Sequence, residues 1–313
     1  MIVVFGSINI DLVARVSALP RAGETVAGPD YQVIPGGKGA NQALAARRAG
    51  ADVIMVGAVG RDGFAATALS TLSAEGVDVT RVTPADAPTG AAFIAVDAAG
   101  QNQIVVAAGA NATVRASALD GLSASPRDIL LLQWEVPEAE VLAAARWAKA
   151  REMRVMLNRA PAGPISAELA GLLDLVVVNE HEVLALGAGF GLSDGDPDTV
   201  AAALSERHGL AVAVTLGAEG ALCWADGIRH ESPAYPVAVV DTTAAGDTFC
   251  GALAAALDRR RGLETAVEFA AAAGSLACAR FGAQSSIPDL AAIEAAAAVL
   301  AEQRNPHHRR KTP

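Results

Sequence analysis

Short runs of apolar residues alternate along the chain with longer stretches whose apolar positions recur every three or four residues. The runs are Ile2 to Phe5, Val53 to Val59, Ile129 to Gln133, Val155 to Asn158, Leu175 to Asn179 and Val212 to Leu216. Between them lie Gly39 to Ala49, Phe64 to Glu75, Glu138 to Arg151, Glu180 to Leu186 and Asp198 to Arg207. A strand that is apolar throughout must be covered on both faces, and a parallel sheet flanked by helices does this. The alternation predicts an α/β fold around a mostly parallel central sheet with helices on both faces. Two segments break the rhythm. Leu12 to Ile34, and Gly90 to Ala107 with the turn Asp97-Ala98-Ala99-Gly100, read as short antiparallel strands inserted into the α/β order. Together they predict a small four-stranded sheet standing off the main body, whose apolar face calls for a ligand or a second subunit.

Toward the carboxyl end, the apolar run Val237 to Val240 reads as a further strand leading into small residues. An Ala-rich stretch from Thr248 to Leu257 then has the pattern of a buried helix. Thr265 to Arg280 carries so little polar surface that it predicts another buried helix, and Asp289 to Gln303 predicts a terminal amphipathic one.

Composition narrows the function more than the fold. An apolar fraction of 52% over 313 residues permits a sizeable core. Lys and Arg total 24 against 34 acidic residues, a formal charge of −10 without a basic stripe, which argues against nucleic acid as a partner. The one basic cluster is the tail 304–313, read as disordered. Cys223, Cys250 and Cys278 are far apart and without metal-ligand spacing, and the five histidines include no ligand-spaced cluster, so zinc is not expected and the thiols suit a reducing compartment. No uncharged apolar run approaches the roughly 18 residues needed to cross a bilayer, and a soluble, cytoplasmic protein is the expectation.

The candidate chemistry centres on Val240-Asp241-Thr242-Thr243-Ala244-Ala245-Gly246-Asp247. If a helix begins near Ala245, the backbone N–H groups of Ala244, Ala245 and Gly246 face outward without intrahelical partners, and the helix dipole favours an anion before them. Asp247 then sits in the first turn. A carboxylate beside an anion site is costly unless it has a task, and general base next to a transferring phosphoryl group is a common one. The bland alternative is a charge that merely interacts with the dipole.

Other polar groups fall at the carboxyl ends of the predicted strands, where α/β sheets bind ligands. Asn9 and Asp11 follow the first strand and suit the vicinal hydroxyls of a small polar molecule, or form an Asx turn. Gly36-Gly37-Lys38-Gly39-Ala40-Asn41-Gln42 opens a helix; its glycines admit a close ligand, and Lys38 and Asn41 supply polar groups, although a glycine-rich turn without function reads similarly. It is not the P-loop pattern, which is absent from the chain. Glu135 ends another strand. Asn179 and Glu182, three apart on a first helical turn, suit either a hydrated Mg²⁺ with its phosphates or simple capping. Thr215 and Gly217 fit a phosphate contact or an ordinary turn about equally.

These motifs resemble the ribokinase-like (phosphofructokinase B) family of sugar and nucleoside kinases: GSINID from Gly6, GGKGANQ from Gly36, NEHE from Asn179, DTTAAGDTF from Asp241 and GAQSSIP from Gly282. Where the broader family often has GAGD, this chain has Ala244-Ala245-Gly246-Asp247. The resemblance covers residues 1–303 and implies a single Rossmann-like α/β catalytic domain, with a lid sheet formed by insertions 12–34 and 90–107 that often pairs across a homodimer. It implies ATP-dependent phosphorylation of D-ribose at its 5-hydroxyl. Asp247 would be the base, and Ala245 and Gly246 N–H groups would stabilise the γ-phosphoryl. It implies sugar contacts from Asn9, Asp11, Gly37, Lys38, Gly39, Asn41 and Glu135. ATP and Mg²⁺ contacts would come from Asn179, Glu182, Thr215, Gly217, Gly220 and Gly246. A monovalent-cation site, usually K⁺, would involve Asp241, Thr243, Ala277, Arg280, Gly282 and Ser286, some through carbonyls.

Three alternatives remain open. The acceptor could be 2-deoxyribose, a ketohexose or a nucleoside. A nicotinamide-dependent oxidoreductase would share the sheet type, but the GxGxxG fingerprint is missing. A silent sugar-binding module would have no use for Asp247.

Overall fold

The computed structural model describes residues 1–192 and 195–304. Along the chain, β1 (Ile2–Phe5) is followed by a hairpin of β2 (Asn9–Arg15) and β3 (Tyr31–Gly36). Next come α1 (Lys38–Arg48), β4 (Val53–Gly60), α2 (Phe64–Ala74) and β5 (Asp78–Ala85), then a second hairpin of β6 (Gly90–Val96) and β7 (Asn102–Ala107). The alternation resumes with β8 (Ile129–Leu132), α3 (Glu138–Lys149), β9 (Arg154–Asn158), α4 (Ala167–Ala170), β10 (Leu175–Asn179), α5 (Glu180–Gly189), α6 (Pro197–His208) and β11 (Ala211–Thr215). A hairpin of β12 (Ala221–Ala225) and β13 (Ile228–Ser232) precedes α7 (Ala245–Asp258), α8 (Leu263–Ala277) and α9 (Leu290–Arg304).

The main sheet has the order β13-β12-β11-β10-β9-β8-β1-β4-β5, parallel from β11 to β5 and antiparallel across the β12–β13 edge. The chain winds outward from β1 through β4 to β5, then back to β8 and outward the other way. The order therefore reverses between β1 and β8, and the crevice beyond their carboxyl ends is where such a sheet binds ligands. Alternate residues of the apolar strands feed two cores. Ile2 and Val4 pack under α1, α2, α7, α8 and α9, while Val3 and Phe5 pack under α3 to α6.

Alanine and glycine are abundant in α7 for a geometric reason. A Cβ on Gly251 would lie 2.5 Å from the Gln42 carbonyl oxygen and 2.6 Å from the Ala45 Cβ, so α1 and α7 approach as closely as backbones allow. That contact brings the start of α1 against the start of α7 although about 200 residues separate them, as the Gln42–Asp247 spacing of 205 records.

Several expectations are corrected. The small sheet has the order β3-β2-β6-β7, with each hairpin antiparallel but the two joined by a parallel β2/β6 pair. It begins at Asn9, three residues earlier than expected, so Asn9 and Asp11 sit on its first strand rather than in a loop after β1. Val237 to Val240 is no strand: Val239 and Val240 are mostly exposed, and the Val240 N–H donates to the Cys278 carbonyl instead of to a sheet neighbour. β5 and the β12–β13 hairpin were not expected: β5 and β13 are edge strands that expose polar residues and so lack an unbroken apolar run, whereas β12 is apolar throughout and was passed over. Arg304 closes α9 in ion pairs with Glu264 (2.5 Å) and Glu268 (3.7 Å); the rest of the expected tail, 305–313, lies outside the described residues. Among the described residues no helix is long and apolar enough to cross a membrane.

Candidate active site

The GGKG turn has a steric cause. Gly37 has φ 91°, a left-handed backbone, and a Cβ on Gly39 would fall 2.6 Å from the Ser7 nitrogen. The N-terminus of α1 is thereby pressed against the β1–β2 turn. Ser7 Oγ accepts the Gly39 N–H (3.2 Å) and donates to Glu135 Oε2 (2.7 Å), which also accepts the Lys38 N–H (3.3 Å). On β2, Asn9 Oδ1 accepts from the buried Asn111 Nδ2 (2.7 Å), and Asn111 Oδ1 in turn accepts the Ile8 N–H (2.9 Å).

Asp247 stands in the first turn of α7, only 7% exposed, and both of its oxygens accept from α1: Oδ2 from Asn41 Nδ2 at 2.9 Å, Oδ1 from Gln42 Nε2 at 3.0 Å. Gln42 is part of a buried amide chain. Its Nε2 also donates to Asn158 Oδ1 (3.0 Å), its Oε1 accepts from Gln133 Nε2 (2.8 Å), and Asn158 Nδ2 donates to the Val177 carbonyl (3.1 Å). The remaining oxygen of Asn41, Oδ1, is buried and has no partner among the described residues, which leaves it to a ligand.

Lys38, Asp11, Glu135, Glu182 and Asp247 share one electrostatic neighbourhood. The Lys38 ammonium is held above its ordinary pKa, chiefly by Asp247 and further by Glu135 and Glu182, against the opposing effect of burial. Burial also raises Glu182, partly offset by the Asn179 N–H and by Lys38. Asp11 is pushed up to about 7, first by burial and then by the carboxylates of Glu135 and Asp247. An acid whose pKa rises on folding holds its proton more tightly in the folded chain. Its contribution to stability is full below pH 3.8, the unfolded value, and is lost as pH climbs through about 7. Asp11→Asn is therefore expected to melt above wild type at pH 8, by roughly 2–4 °C for each kcal/mol recovered, with the gap closing toward pH 4. Melting curves across pH check this; parallel curves for the two proteins would contradict it.

In front of α7, Ala244 caps the helix in a left-handed conformation (φ 58°), and the first helical bond runs from the Thr248 N–H to the Ala244 carbonyl at 2.8 Å. The Ala245 N–H, expected to point outward, donates to the Thr242 carbonyl at 3.2 Å. The Gly246 and Asp247 N–H groups have no acceptor among the described residues. A Cβ on Gly246 would meet nothing within 4 Å, so this end of the helix opens onto free space. The space is a cavity of ≈ 510 Å³ lined by Thr215, Gly217, Gly220, Thr242, Ala245 and Gly246 together with Tyr235, Val239, Phe249, Ala271 and Gly274. A carboxylate anchored by amides beside unpaired helix N–H groups is suited to take a proton from a hydroxyl while an anionic group rests on the helix.

Residues 1–290 match the pfkB family of carbohydrate kinases. The chain belongs to this family. It is 39% identical to the ribokinase of Haemophilus influenzae over 91% of this chain and 94% of that one. Among solved structures, it is similar to the ribokinase of Thermotoga maritima (TM-score 0.88, 37% identity, covering 94% of this chain and 98% of that one). It is also similar to Arabidopsis thaliana ribokinase complexed with ribose and ATP (TM-score 0.83, 31% identity, covering 95% and 98%).

In this carbohydrate kinase the residues singled out in the sequence fall into three groups. Asp11, Lys38, Asn41 and Glu135 share the neighbourhood of Asp247, and Gly37 and Gly39 press against the Ser7 to Asn9 stretch. Thr215, Gly217 and Gly220 meet Ala245 and Gly246 at the cavity. Asn179 and Glu182 form a reciprocal capping box, each side chain accepting the other's N–H at 2.8 Å, so capping is observed and one carboxylate oxygen of Glu182 is left over. In the third group, Asp241 ties two loops together: Oδ1 accepts from Thr243 N–H (2.9 Å) and Oγ1 (2.6 Å), and Oδ2 accepts the Gly282 N–H (2.9 Å). Burial alone would raise Asp241, but these bonds and Arg15 hold its carboxyl below the usual range. Ser286 Oγ turns instead to the Ala283 carbonyl (2.8 Å), and the Ala277 carbonyl accepts the Arg280 N–H (3.3 Å). Sequence reasoning missed Ser7, Gln42, Asn111, Gln133 and Asn158. Gln42 lay inside the GGKGANQ motif, but no spacing in the sequence connects it to Asp247.

Proposed function

We propose that this chain phosphorylates D-ribose at the 5-hydroxyl, with ATP as donor, giving D-ribose 5-phosphate and ADP. The observation that carries the reading is the position of Asp247. It is anchored by Asn41 and Gln42 and directly follows Ala245 and Gly246, which line the cavity at the α7 N-terminus. Asp247 takes the hydroxyl proton as the sugar oxygen attacks the γ-phosphorus, and the bond from that phosphorus to the β,γ-bridging oxygen breaks to release ADP. The Gly246 N–H, joined by Ala245 once its weak bond to Thr242 yields, stabilises the charge of the transferring group. Asn9, Asp11, Gly37, Lys38, Gly39, Asn41 and Glu135 hold the sugar. Thr215, Gly217, Gly220 and Gly246 hold the nucleotide, with its adenosine against the apolar side chains that line the same cavity.

Glu182 retains one free carboxylate oxygen, and with Asn179 it fits a Mg²⁺ that keeps most of its waters; such an ion supplies neutralisation of phosphate charge. Asp241 with carbonyl and hydroxyl oxygens of Thr243, Ala277, Arg280, Gly282 and Ser286 is a hard, singly charged donor set suited to K⁺. Since Asp241 already couples the 241–243 loop to Gly282, an ion there steadies the approach to Gly246 without touching substrate. The free thiols of Cys223, Cys250 and Cys278 favour the reducing cytoplasm as its location.

The small sheet supports a lid that pairs in a homodimer. Phe93 with Val105 on one face, and Ile104 with Val106 on the other, are each at least half exposed. A Val105→Lys, Ile104→Lys variant is expected to sediment as a monomer where wild type sediments as a dimer; a monomeric wild type rules the pairing out.

The test of function is ADP release with MgATP and K⁺ across D-ribose, 2-deoxyribose, fructose, adenosine and no sugar. Ribose is expected to give the highest kcat/KM. Preference for another acceptor would leave a kinase with a different pocket, and no turnover with any of them would overturn the reading.

A further inference from the structure

A second cavity, ≈ 640 Å³, opens at the opposite end of the main sheet. It lies among the amino ends of β8 to β11, the end of β12 and the α7–α8 connection. Asp247 is in the first turn of α7 and Leu257, at its last turn, lines this cavity, so the two sites are about 15 Å apart along the helix.

The walls are of two kinds. The floor is aliphatic, from Ile129, Leu175, Leu210 and Leu257, and the rim carries Arg127, Arg154, Arg260 and Arg261. Arg261 is occupied: it pairs with Glu294 (3.0 Å) and stacks over Phe269 (4.4 Å to the centroid). The guanidiniums of Arg127, Arg154 and Arg260 have no hydrogen bond, ion pair or ring contact among the described residues. The lining carboxylates are mostly satisfied. Asp174 accepts from Lys149 Nζ (2.6 Å) and Asp258 from the terminal ammonium of Met1 (2.7 Å), which leaves Asp226 without a cation among the described residues. Three free guanidiniums thus face one uncompensated carboxylate, in a chain of formal charge −10. Arg260 also has φ 61°, a left-handed backbone that a bulky residue adopts only at a cost. Its neighbours Arg259 and Arg261 both reach Glu294 on α9, while Arg260 lines the cavity.

We propose that this cavity binds a small phosphorylated sugar at a site separate from the catalytic centre. Guanidinium forks match phosphate oxygens bidentately, which accounts for the rim. The volume falls in the range of ordinary small-molecule sites and exceeds what a bare phosphate fills, and the aliphatic floor suits the carbon face of a sugar. No aromatic side chain is among the lining residues, so a nucleobase would find no stacking surface. The inference stands on this cavity alone and does not depend on the reading of the catalytic site.

Equilibrium dialysis of labelled ribose 5-phosphate tests it, with ADP and D-ribose in excess to occupy the other end of the sheet. Wild type is compared with an Arg127→Gln, Arg154→Gln, Arg260→Gln variant. The variant is expected to bind one equivalent less than wild type and to keep wild-type turnover and melting temperature. That difference holds however the catalytic site behaves. The single Arg260→Gln variant, which removes one rim charge outside the packed core, is expected to bind about tenfold more weakly. Equal stoichiometry in wild type and triple variant overturns the proposal. So does competition by inorganic phosphate as strong as that by unlabelled ribose 5-phosphate, because the site would then not be reading a sugar phosphate.

Discussion

Replacing Asp247 by Asn is expected to lower kcat about 10²- to 10⁴-fold while the protein stays folded. Asn is the same size but cannot take the proton from the attacking hydroxyl. The fold survives for a specific reason. Asp247 accepts from Asn41 Nδ2 and Gln42 Nε2, so an amide at 247 sets one N–H₂ group against another. Asn41 can relieve that conflict by turning its amide over, since its Oδ1 has no partner among the described residues. The flip takes from the sugar the oxygen that Asn41 would offer it, so KM is expected to rise, but by far less than turnover falls. ADP release and thermal melting on the purified variant check both halves. Near-normal turnover would remove Asp247 as the base; a collapsed melting temperature would show that it acts mainly as a structural acceptor.

The second large effect is expected from Gln42→Leu. Leu has about the right volume for this fully buried position, so the loss is one of hydrogen bonds rather than packing. Asp247 Oδ1, Asn158 Oδ1 and Gln133 Nε2 each lose the partner that Gln42 supplied. An unsatisfied buried group costs about 1–3 kcal/mol, and the three costs do not add fully because Asn158 and Gln133 can reorient. Gln42 is a positioning residue: with one of its two anchors gone, Asp247 is free to swing, and displacement of about 1 Å at a reacting group can cost 10²-fold in rate. The expected signature is a fall in kcat larger than any rise in KM, measured below the variant's melting transition. A variant that is merely less stable, with wild-type kcat at low temperature, would reduce Gln42 to a core amide.

Much of the fold was legible because strands covered on both faces must be apolar throughout. β1, β8 and β10 are unbroken runs of this kind, and the helices between them carry the complementary period. Edge elements were not legible. β5 alternates polar and apolar residues because part of it faces solvent, and Val237 to Val240 is apolar without being a strand because it borders a cavity rather than a sheet. The glycine-rich turn, the amides and the carboxylates of the candidate site could be found by type and by their place after strands. Asn179 and Glu182 show the limit of that approach, since the spacing that suits a metal also makes a capping box, and the box is what forms.

By itself, then, the sequence determined the class of fold, the location of the polar clusters at one edge of a parallel sheet, and the helix start that carries Asp247. Those follow from local periodicity and from backbone N–H groups that any helix leaves unpaired. Tertiary structure alone decided which side chains hold that carboxylate, why Gly251 must be small, and that Asp11 is buried, with Glu135 and Asp247 nearby, so that its pKa rises to about 7. It also decided that arginines from β9, the β8 approach and the α7–α8 turn share one cavity. Contacts between residues 42 and 247 depend on two helices packing at backbone distance, and Coulomb interactions depend on separation in space, neither of which is written in spacing along the chain.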